Sequence, residues 1–389
     1  MREFQLKPRI QFGKDALALL ERLPALNALL VTDSAMVKLG YAQKVTQIWQ
    51  QQGISYQIWD DVTADPDVAT VARGIRLMES HFPQLIVALG GGSVIDAAKA
   101  VLFTLANDAA APKRERPCFV AIPTTSGTGS EVTAFSVVKA QGEKLVLVDT
   151  EMLPDIAILD PAFVASVPPA ITADTGMDVL CHALEAYVSL HASDFSDALA
   201  EKAVQQVFCY LPSCWRNGDD ALAREKMHNA SCMAGMAFTN ASLGITHSLA
   251  HALGGVFSIP HGRANALLMA HIVAWNADYA GECDNAAAQK YARLARLLEL
   301  PADTTQQGVS SLLLAIRAMQ EEMKLPLGIN ELSISAEQFE QQLAVMAQQA
   351  MRDSCTLTNP RKPDLSSLIA LLRQAWSDSA LALRAQEYK

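Results

Sequence analysis

One stretch near residue 90 constrains the fold more than any other. Residues 85–89 form an uninterrupted apolar run, which is followed by Gly-Gly-Gly-Ser and then by residues 95–105, where the spacing of apolar side chains predicts a helix. A strand without polar positions is typical of a parallel sheet that helices cover on both faces. The sequence therefore predicts an α/β arrangement in which glycines connect a buried strand to a helix.

The same alternation extends through the first half of the chain and then stops. Residues 28–32, 56–59 and 118–122 predict further strands of a mostly parallel sheet. After Pro168 and Pro169 come long segments rich in Ala, Leu and Met with helical periodicity. Since 389 residues exceed the roughly 250–300 that one core accommodates, we predict two domains. They are an α/β N-terminal domain over residues 1–168 and an all-helical C-terminal domain over residues 169–389.

Charge and cysteine usage exclude several classes of function. A formal net charge of -10 argues against nucleic acids and anionic membranes as partners. Seven scattered cysteines without a Cys-x-x-Cys pair argue against a structural zinc site or a disulfide framework. No signal peptide and no uncharged run long enough to span a bilayer is recognisable, so an intracellular, cytoplasmic protein is expected.

The glycine loop, which comprises Gly90, Gly91, Gly92 and Ser93, has the properties of a diphosphate site. Glycines let backbone N–H groups approach phosphate oxygens, and the N-terminus of the following helix adds a favourable dipole. The loop is neither the Gly-x-Gly-x-x-Gly fingerprint nor a Walker A motif. The alternative interpretation is a tight strand-to-helix turn without a ligand.

Two further segments point to a dinucleotide at the same edge of the sheet. Thr124, Thr125 and Thr128 lie in a loop of hydroxyls and glycines that follows the next buried strand, and open α/β sheets bind ligands at that edge. Asp33 ends the first strand, where its carboxylate can bond ribose hydroxyls and repel the 2′-phosphate of NADP. The alternative for Asp33 is a helix N-cap. We therefore predict that the N-terminal domain binds a dinucleotide.

A set of histidines and one carboxylate predicts a divalent metal site in the helical half. Asp178 and His182 are four residues apart in a helical stretch and share one face, as do His247 and His251. His261 follows in a predicted turn. Three of the eight histidines fall between residues 247 and 261, and one carboxylate with two or three imidazoles makes a divalent site. Taken singly, His182 could be a hydrogen-bonded core residue and His251 a helix-packing residue.

Together these motifs resemble the iron-containing (group III) alcohol dehydrogenase family in collinear order over essentially the whole chain. Within the family, residues 192–212 and 226–231 are most similar to the propanol dehydrogenases of propanediol-degrading bacterial microcompartments. The matching features are Gly90 to Ser93 with Asp96 and Lys99, residues 123–131, Gly176 to Asp178 with His182 and Glu185, His247 with His251, His261 and Gly262 with Asn265, and Asn359 to Arg361.

The resemblance implies a role for each predicted site residue. It implies an N-terminal NAD domain, a helical domain, and a metal in the cleft between them. His251 would lie beside the nicotinamide and the substrate, Lys144 would contact the cofactor, and Asp33 would favour NAD. Asp65 stands where many members have Asn, which puts a cofactor contact there in doubt. The implied metal ligands are Asp178, His182, His247 and His261, and the glycine loop with Thr124, Thr125 and Thr128 would hold the cofactor.

The mechanism that follows is hydride transfer between a small alcohol and NAD, with a Lewis-acid metal that polarises the alcohol or aldehyde oxygen. His251 is the candidate proton relay, because the unperturbed pKa of histidine is about 6.5. Room for substrate beside four protein ligands suits Fe²⁺, but Zn²⁺ usually binds such ligands more tightly. Iron therefore rests on the family resemblance.

Two alternatives stay open. One is a polyol oxidoreductase related to glycerol dehydrogenase or a sugar-phosphate cyclase relative, and the other is a catalytically silent scaffold in a microcompartment. The resemblance also implies a homodimer or larger homo-oligomer, residence in the cytoplasm or inside a microcompartment, and shell proteins or other enzymes as possible partners.

Overall fold

The structure is a computed structural model that describes residues 3–108, 115–140 and 143–377, the side chains of residues 143 and 144 excepted. Its strands are β1 Arg9–Phe12, β2 Asn27–Val31, β3 Ser55–Trp59, β4 Leu85–Gly90, β5 Cys118–Pro123, β6 Phe135–Ala140, β7 Glu143–Val148 and β8 Ile156–Leu159. Its helices are α1 Ser34–Lys38, α2 Tyr41–Gln52, α3 Val68–His81, α4 Gly92–Asn107, α5 Pro169–Val188, α6 Asp194–Arg216, α7 Ala221–Ala241, α8 Ile245–Phe257, α9 His261–Asn276, α10 Ala286–Leu297, α11 Thr305–Glu322, α12 Ala336–Arg352 and α13 Leu365–Ser377.

Six strands form one parallel sheet in the order β1-β8-β5-β4-β2-β3, while β6 and β7 pair as a separate antiparallel hairpin. The strand order reverses beside β2, because β3 lies on one side of it and β4 on the other. Loops at such a switch point open outward and leave a crevice at the carboxyl ends of the strands. The loops after β2, β4 and β5 lie at this edge, and they carry the predicted cofactor residues other than Lys144, which lies in β7.

The continuous apolar strands are explained by two cores, one on each face of the sheet. Leu30 and Val87, paired across β2 and β4, pack into one buried cluster. Their neighbours Leu29 and Ile86 are also paired and pack into the other. Because successive side chains of a strand point to opposite faces, neither face tolerates polar residues. The predicted α/β domain with a parallel sheet and the predicted helical C-terminal domain are both confirmed.

The chain divides into two compact units, and the division differs from the predicted one in one segment. One unit, the α/β unit, comprises residues 4–167 and 218–239, and the other, the helical unit, comprises residues 1–3, 168–217 and 240–389. Residues 218–239, which we predicted as part of the helical domain, are helical but pack with the α/β unit. The physical reason is a close approach of two glycines, since a Cβ on Gly129 would lie 2.7 Å from the Cα of Gly235.

The helical unit is built around close contacts of α5 with α6 and with α9. A Cβ on Gly176 would lie 2.2 Å from Cδ1 of Leu211, so a larger residue there would force the Leu211 side chain to move. A Cβ on Gly262 would lie 2.1 Å from the carbonyl oxygen of Asp174, which places the start of α9 directly against α5. This second contact brings His261 towards the face of α5 that carries the predicted metal ligands.

The described residues bear on the cysteines and on membrane-spanning helices. All seven cysteines are free thiols. Within the parts of the chain that the structure describes, no helix has both the length and the apolar character needed to cross a membrane.

Candidate metal centre and cofactor loops

The four predicted metal ligands converge in the helical unit. Asp178 and His182 lie on one face of α5, His247 lies in the first turn of α8, and His261 is the first residue of α9. The Oδ1 atom of Asp178 lies 3.8 Å, 3.7 Å and 3.6 Å from the Nε2 atoms of His182, His247 and His261 respectively. One ligand atom from each of the four residues lies within 4.8 Å of the others. The structure therefore brings together the four residues that the resemblance implies as metal ligands.

These separations fit a divalent cation. Tetrahedral ligands with metal–ligand distances near 2.1 Å are about 3.4 Å apart, close to the 3.6–3.8 Å observed here. A hard carboxylate with three imidazoles suits iron or zinc better than it suits calcium or magnesium. Asp178, His182 and His247 are buried, whereas His261 is partly exposed. The donor set can therefore hold a metal that a small molecule reaches from the side of His261.

The histidines of the cluster differ in charge state. Although burial acts to lower the pKa of His247, its neighbours Cys181, Asp178 and Glu185 raise it well above its ordinary value. Burial alone would raise the pKa of Asp178, but the adjacent His182 and His261 hold it well below its ordinary value. Burial and the neighbouring histidines lower the pKa of His261 to about 3, so its ring is neutral near pH 7. A neutral imidazole offers a lone pair to a metal, whereas an imidazolium does not.

Glu185 positions one of the ligands, a role that the sequence analysis did not assign. Its carboxylate accepts hydrogen bonds from Nδ1 of His247 at 2.6 Å, from the backbone N–H of Thr246 at 2.6 Å and from that of Gly244 at 2.9 Å. Because Nδ1 is engaged by the carboxylate, Nε2 of His247 is the nitrogen available to a metal. The spacing of Asp178, His182 and Glu185 is i, i+4, i+7, so one helical stripe could have revealed it.

Asn265 is a second positioning residue at the cluster. It lies one helical turn beyond His261, is fully buried, and donates from Nδ2 to Oδ1 of Asp178 at 2.7 Å. This bond leaves the carboxylate less free to rotate away from the histidines. Its spacing of four residues from His261 was the available signal in the sequence.

His251 lies next to the four-residue cluster but is not one of its members. Its ring stacks on that of His261 with centroids 5.3 Å apart and planes 15° apart. Its Nδ1 lies 2.8 Å from Oδ2 of Asp353, and its side chain is 28% exposed. A partly exposed histidine beside the four predicted metal ligands is suitably placed to exchange protons with solvent.

The glycine loop is adjacent in the α/β unit to residues 123–131, which we call the threonine loop. A Cβ on Gly92 would lie 2.9 Å from Cγ2 of Thr128, and one on Gly91 would lie 3.7 Å from Thr125. The backbone N–H of Thr124 donates to the carbonyl oxygen of Gly90 at 3.0 Å. The two loops are therefore in contact, and a Cβ at Gly92, unlike one at Gly91, would require Thr128 to shift.

Three other predicted cofactor residues have different surroundings. Asp33 caps α1, because its Oδ1 accepts from the backbone N–H groups of Ala35 at 2.8 Å and Met36 at 3.0 Å, which was the alternative interpretation. Ser93 is the second residue of α4, and its Oγ accepts from the backbone N–H of Asp65. Lys144 lies in β7, and its side chain is outside the described part of the structure.

A buried lysine and a buried histidine, Lys99 and His228, contact the threonine loop. Nζ of the fully buried Lys99 donates to the carbonyl oxygens of Thr133 and Phe135 and to Oγ of Ser130. His228 has no partner nearby in the sequence, which predicts a surface or capping residue, and the structure contradicts this prediction. His228 is 1% exposed, and its Nδ1 lies 3.1 Å from Oγ of Ser126, because α7 packs against the loop. Burial lowers the pKa of His228 to about 4.

Comparison with known proteins matches almost the whole chain to one family. The sequence model of the iron-containing alcohol dehydrogenase matches residues 7–161, and that of the Fe-containing alcohol dehydrogenase family, C-terminal, matches residues 172–376. Together they cover both compact units apart from the chain ends and a short connection.

Individual relatives are also named as alcohol dehydrogenases. The 1-propanol dehydrogenase PduQ of Citrobacter freundii is 43% identical over 96% of this chain and its own full length. The NADPH-dependent butanol dehydrogenase of Clostridium saccharobutylicum is 37% identical over 93% of this chain and 95% of its own length. The aldehyde-alcohol dehydrogenase of Streptococcus pneumoniae serotype 4 is 38% identical over 97% of this chain, which spans only 46% of that longer protein.

Solved structures give the same result. The crystal structure of a 1,3-propanediol oxidoreductase superimposes with a TM-score of 0.88 and 32% identity, and it covers 97% of this chain and 100% of its own. Sulfoacetaldehyde reductase from Bifidobacterium kashiwanohense, solved in complex with NAD+, has a TM-score of 0.83 and 28% identity over 96% of this chain and 98% of its own. With two family models matched in order and a ligand cluster of three histidines and one aspartate, this chain belongs to the iron-containing alcohol dehydrogenase family.

Proposed function

We propose that this alcohol dehydrogenase uses NAD(H) and iron to interconvert a short-chain primary alcohol and its aldehyde, with propionaldehyde and 1-propanol as the leading pair. The observation that carries the proposal is the cluster of Asp178, His182, His247 and His261, whose ligand atoms lie within 4.8 Å of one another. Three of these four donors are buried, and a bound cation would compensate for the cost of burying them so close together.

In this proposal the four ligand residues serve to hold a Lewis-acid metal ion. A divalent ion bound there would act as a Lewis acid towards an alcohol or aldehyde oxygen. The chain contributes the ligands, the two positioning residues Glu185 and Asn265, and the buried side of the site that keeps water out. Both iron and zinc accept one carboxylate and three imidazoles, so the ligands do not distinguish them. Iron is proposed because the matching family is iron-containing.

The cofactor residues hold NAD(H) at the carboxyl edge of the sheet. Backbone N–H groups of Gly91, Gly92 and Ser93 at the start of α4 would face the diphosphate, and Thr124, Thr125 and Thr128 would contact it from the adjacent loop. Asp33 keeps a carboxylate at the end of β2 even while it caps α1, and that negative charge disfavours the 2′-phosphate of NADP. We propose Lys144 as a further cofactor contact by the family resemblance.

His251 is proposed as the group that takes up or delivers the proton. Its position beside His261 and its partial exposure connect the reacting oxygen to solvent. Replacement by Ala should leave the metal bound and remove most of the turnover. A His251→Ala enzyme with undiminished turnover across the pH range would exclude this role.

The substrate and the setting are proposed from the relatives. One relative that is 43% identical is named a 1-propanol dehydrogenase, and a structural relative is named a 1,3-propanediol oxidoreductase. We propose a small neutral aldehyde as the substrate, a homodimer or larger homo-oligomer as the assembly, and the cytoplasm or a microcompartment with its shell proteins and enzymes as the setting.

The experiment is a substrate and cofactor profile of anaerobically purified, iron-loaded protein. NADH oxidation is followed with propionaldehyde, acetaldehyde and dihydroxyacetone, and each is repeated with NADPH. The proposal expects kcat/KM to be highest for the short monofunctional aldehydes with NADH. A preference for dihydroxyacetone would instead indicate a polyol oxidoreductase, and inactivity with every aldehyde and both cofactors would indicate a scaffold.

A further inference from the structure

The two histidines one turn apart on α8 have matching environments. Nδ1 of His247 is bound by the carboxylate of Glu185 from α5, and Nδ1 of His251 is bound by that of Asp353, which follows α12. Both carboxylates come from outside α8 and both select the same ring nitrogen. We propose that Asp353 is a positioning residue that holds His251 in one orientation and one tautomer for proton transfer, an inference that rests on the proposed function of His251.

Asp353 is itself held in place, so it can act as a fixed acceptor. Its Oδ1 accepts from the backbone N–H of Cys355 at 2.8 Å and caps the short 3-10 helix Ser354–Thr358. Its Oδ2 is left for Nδ1 of His251 at 2.8 Å. Although burial acts to raise the pKa of Asp353, the bonds from His251 and Cys355 lower it to about 2, so the group is a carboxylate near pH 7.

An ionised carboxylate only accepts hydrogen bonds, and this fixes the proton on the ring. Nδ1 of His251 must therefore carry the hydrogen, which leaves Nε2 as the ring nitrogen that can face a reacting group. The ring plane is fixed from a second side, because it stacks on His261 and meets His247 edge-on at a centroid distance of 6.1 Å. Removal of the Asp353 carboxylate frees the tautomer while the stacking remains.

The choice of variant separates two roles of Asp353, which are capping the 3-10 helix Ser354–Thr358 and positioning His251. Asp353→Asn keeps the cap, since Asn is as good an N-cap as Asp, but it can present an NH₂ group to Nδ1 of His251. Asp353→Ser keeps a cap and withdraws from the ring. Asp364, an exposed residue whose Oδ1 accepts from the backbone N–H of Ser367, supplies the matched control Asp364→Asn.

The first readout does not depend on activity. In metal-free protein labelled with [15N]histidine, the ring nitrogens of His251 are assigned by comparison with His251→Gln, and the tautomer follows from which nitrogen carries the hydrogen. We expect the Nδ1–H form in the parent chain and in Asp364→Asn, and a shift towards the Nε2–H form in Asp353→Asn. An unchanged tautomer in Asp353→Asn would overturn the proposal whether or not the protein is a dehydrogenase.

The second readout is kinetic and uses the metal-loaded enzyme with NADH and a short aldehyde. Asp353→Asn and Asp353→Ser should lower kcat about 10- to 100-fold, as loss of comparable outer hydrogen bonds does, while KM and metal affinity stay within about threefold. Asp353→Glu should recover part of kcat. A changed tautomer with unchanged kcat would also overturn the positioning role. Activity that survives His251→Gln would instead refute the proposed role of His251 itself.

Discussion

The contact of Gly262 with α5 gives the sharpest test of how the metal centre is built. The backbone conformation of Gly262 is one that any residue can adopt, because its φ is not positive. A Cβ there would nevertheless lie 2.1 Å from the carbonyl oxygen of Asp174 and 3.3 Å from Cβ of Asp178. To reach an ordinary contact of 3.4 Å, α9 and α5 must separate by about 1.3 Å. Overpacking of this kind costs roughly 1–3 kcal/mol of stability.

The same displacement acts on the metal ligands. Nε2 of His261, the preceding residue, lies 3.6 Å from Oδ1 of Asp178, and metal–ligand distances tolerate errors of only about 0.2 Å. Gly262→Ala should therefore weaken metal binding at least tenfold, or by about 1.4 kcal/mol. Metal affinity is measured by equilibrium competition with a chelator, and stability by urea unfolding of the metal-free protein.

Gly255→Ala on α8 is the matched control. A Cβ at Gly255 meets no atom within 4 Å, so this change should leave metal affinity unaltered and raise stability by about 0.5–1 kcal/mol. Equal metal affinities for the two variants would refute the argument that the glycine contact sets the separation of His261 and Asp178.

Three further predictions follow from single side chains. Glu185→Gln should lower metal affinity about 10- to 100-fold in the same chelator competition, because the ring of His247 loses its charged acceptor and one of the three N–H donors then faces an NH₂ group; unchanged affinity would exclude the positioning role. His228 has a folded pKa of about 4 against an ordinary 6.5, so the unfolded chain binds its proton first and stability falls as pH drops through this window. By pH 5 this costs about 2 kcal/mol, and urea unfolding of His228→Gln should lack that part of the acid sensitivity. Asp33→Ser keeps an N-cap but removes the negative charge, so the ratio of kcat/KM for NADPH to that for NADH should rise at least tenfold; an unchanged ratio would show that Asp33 is only a cap.

Periodicity predicted the parts of the fold and the site that repeat along one element. Apolar runs such as residues 85–89 identified buried parallel strands, because a sheet with two apolar cores leaves no place for polar residues. Asp178 with His182 and His247 with His251 were found because residues four apart share a helix face. These signals are local, and the structure adds the packing that brings α5, α8 and α9 together.

The features that were missed depend on contacts between distant residues. Asp353 lies 102 residues from His251, and nothing in its local sequence indicates the pairing. Residues 218–239 have ordinary helical periodicity, so long-range contacts such as that of Gly235 with Gly129 are needed to reveal that they pack with the α/β unit. His228 was misjudged for the same reason, since its partner Ser126 lies in a loop about 100 residues earlier.

The central claim is that the activity of this chain depends on one metal ion held by Asp178, His182, His247 and His261. The most direct measurement is an anaerobic titration of Fe²⁺ into chelator-treated protein, with bound iron and NADH-dependent propionaldehyde reduction determined in the same samples. We predict that activity rises in proportion to bound iron and saturates at one ion per chain, and that Asp178→Asn shows neither. Full activity in metal-free protein, or in Asp178→Asn, would contradict the account.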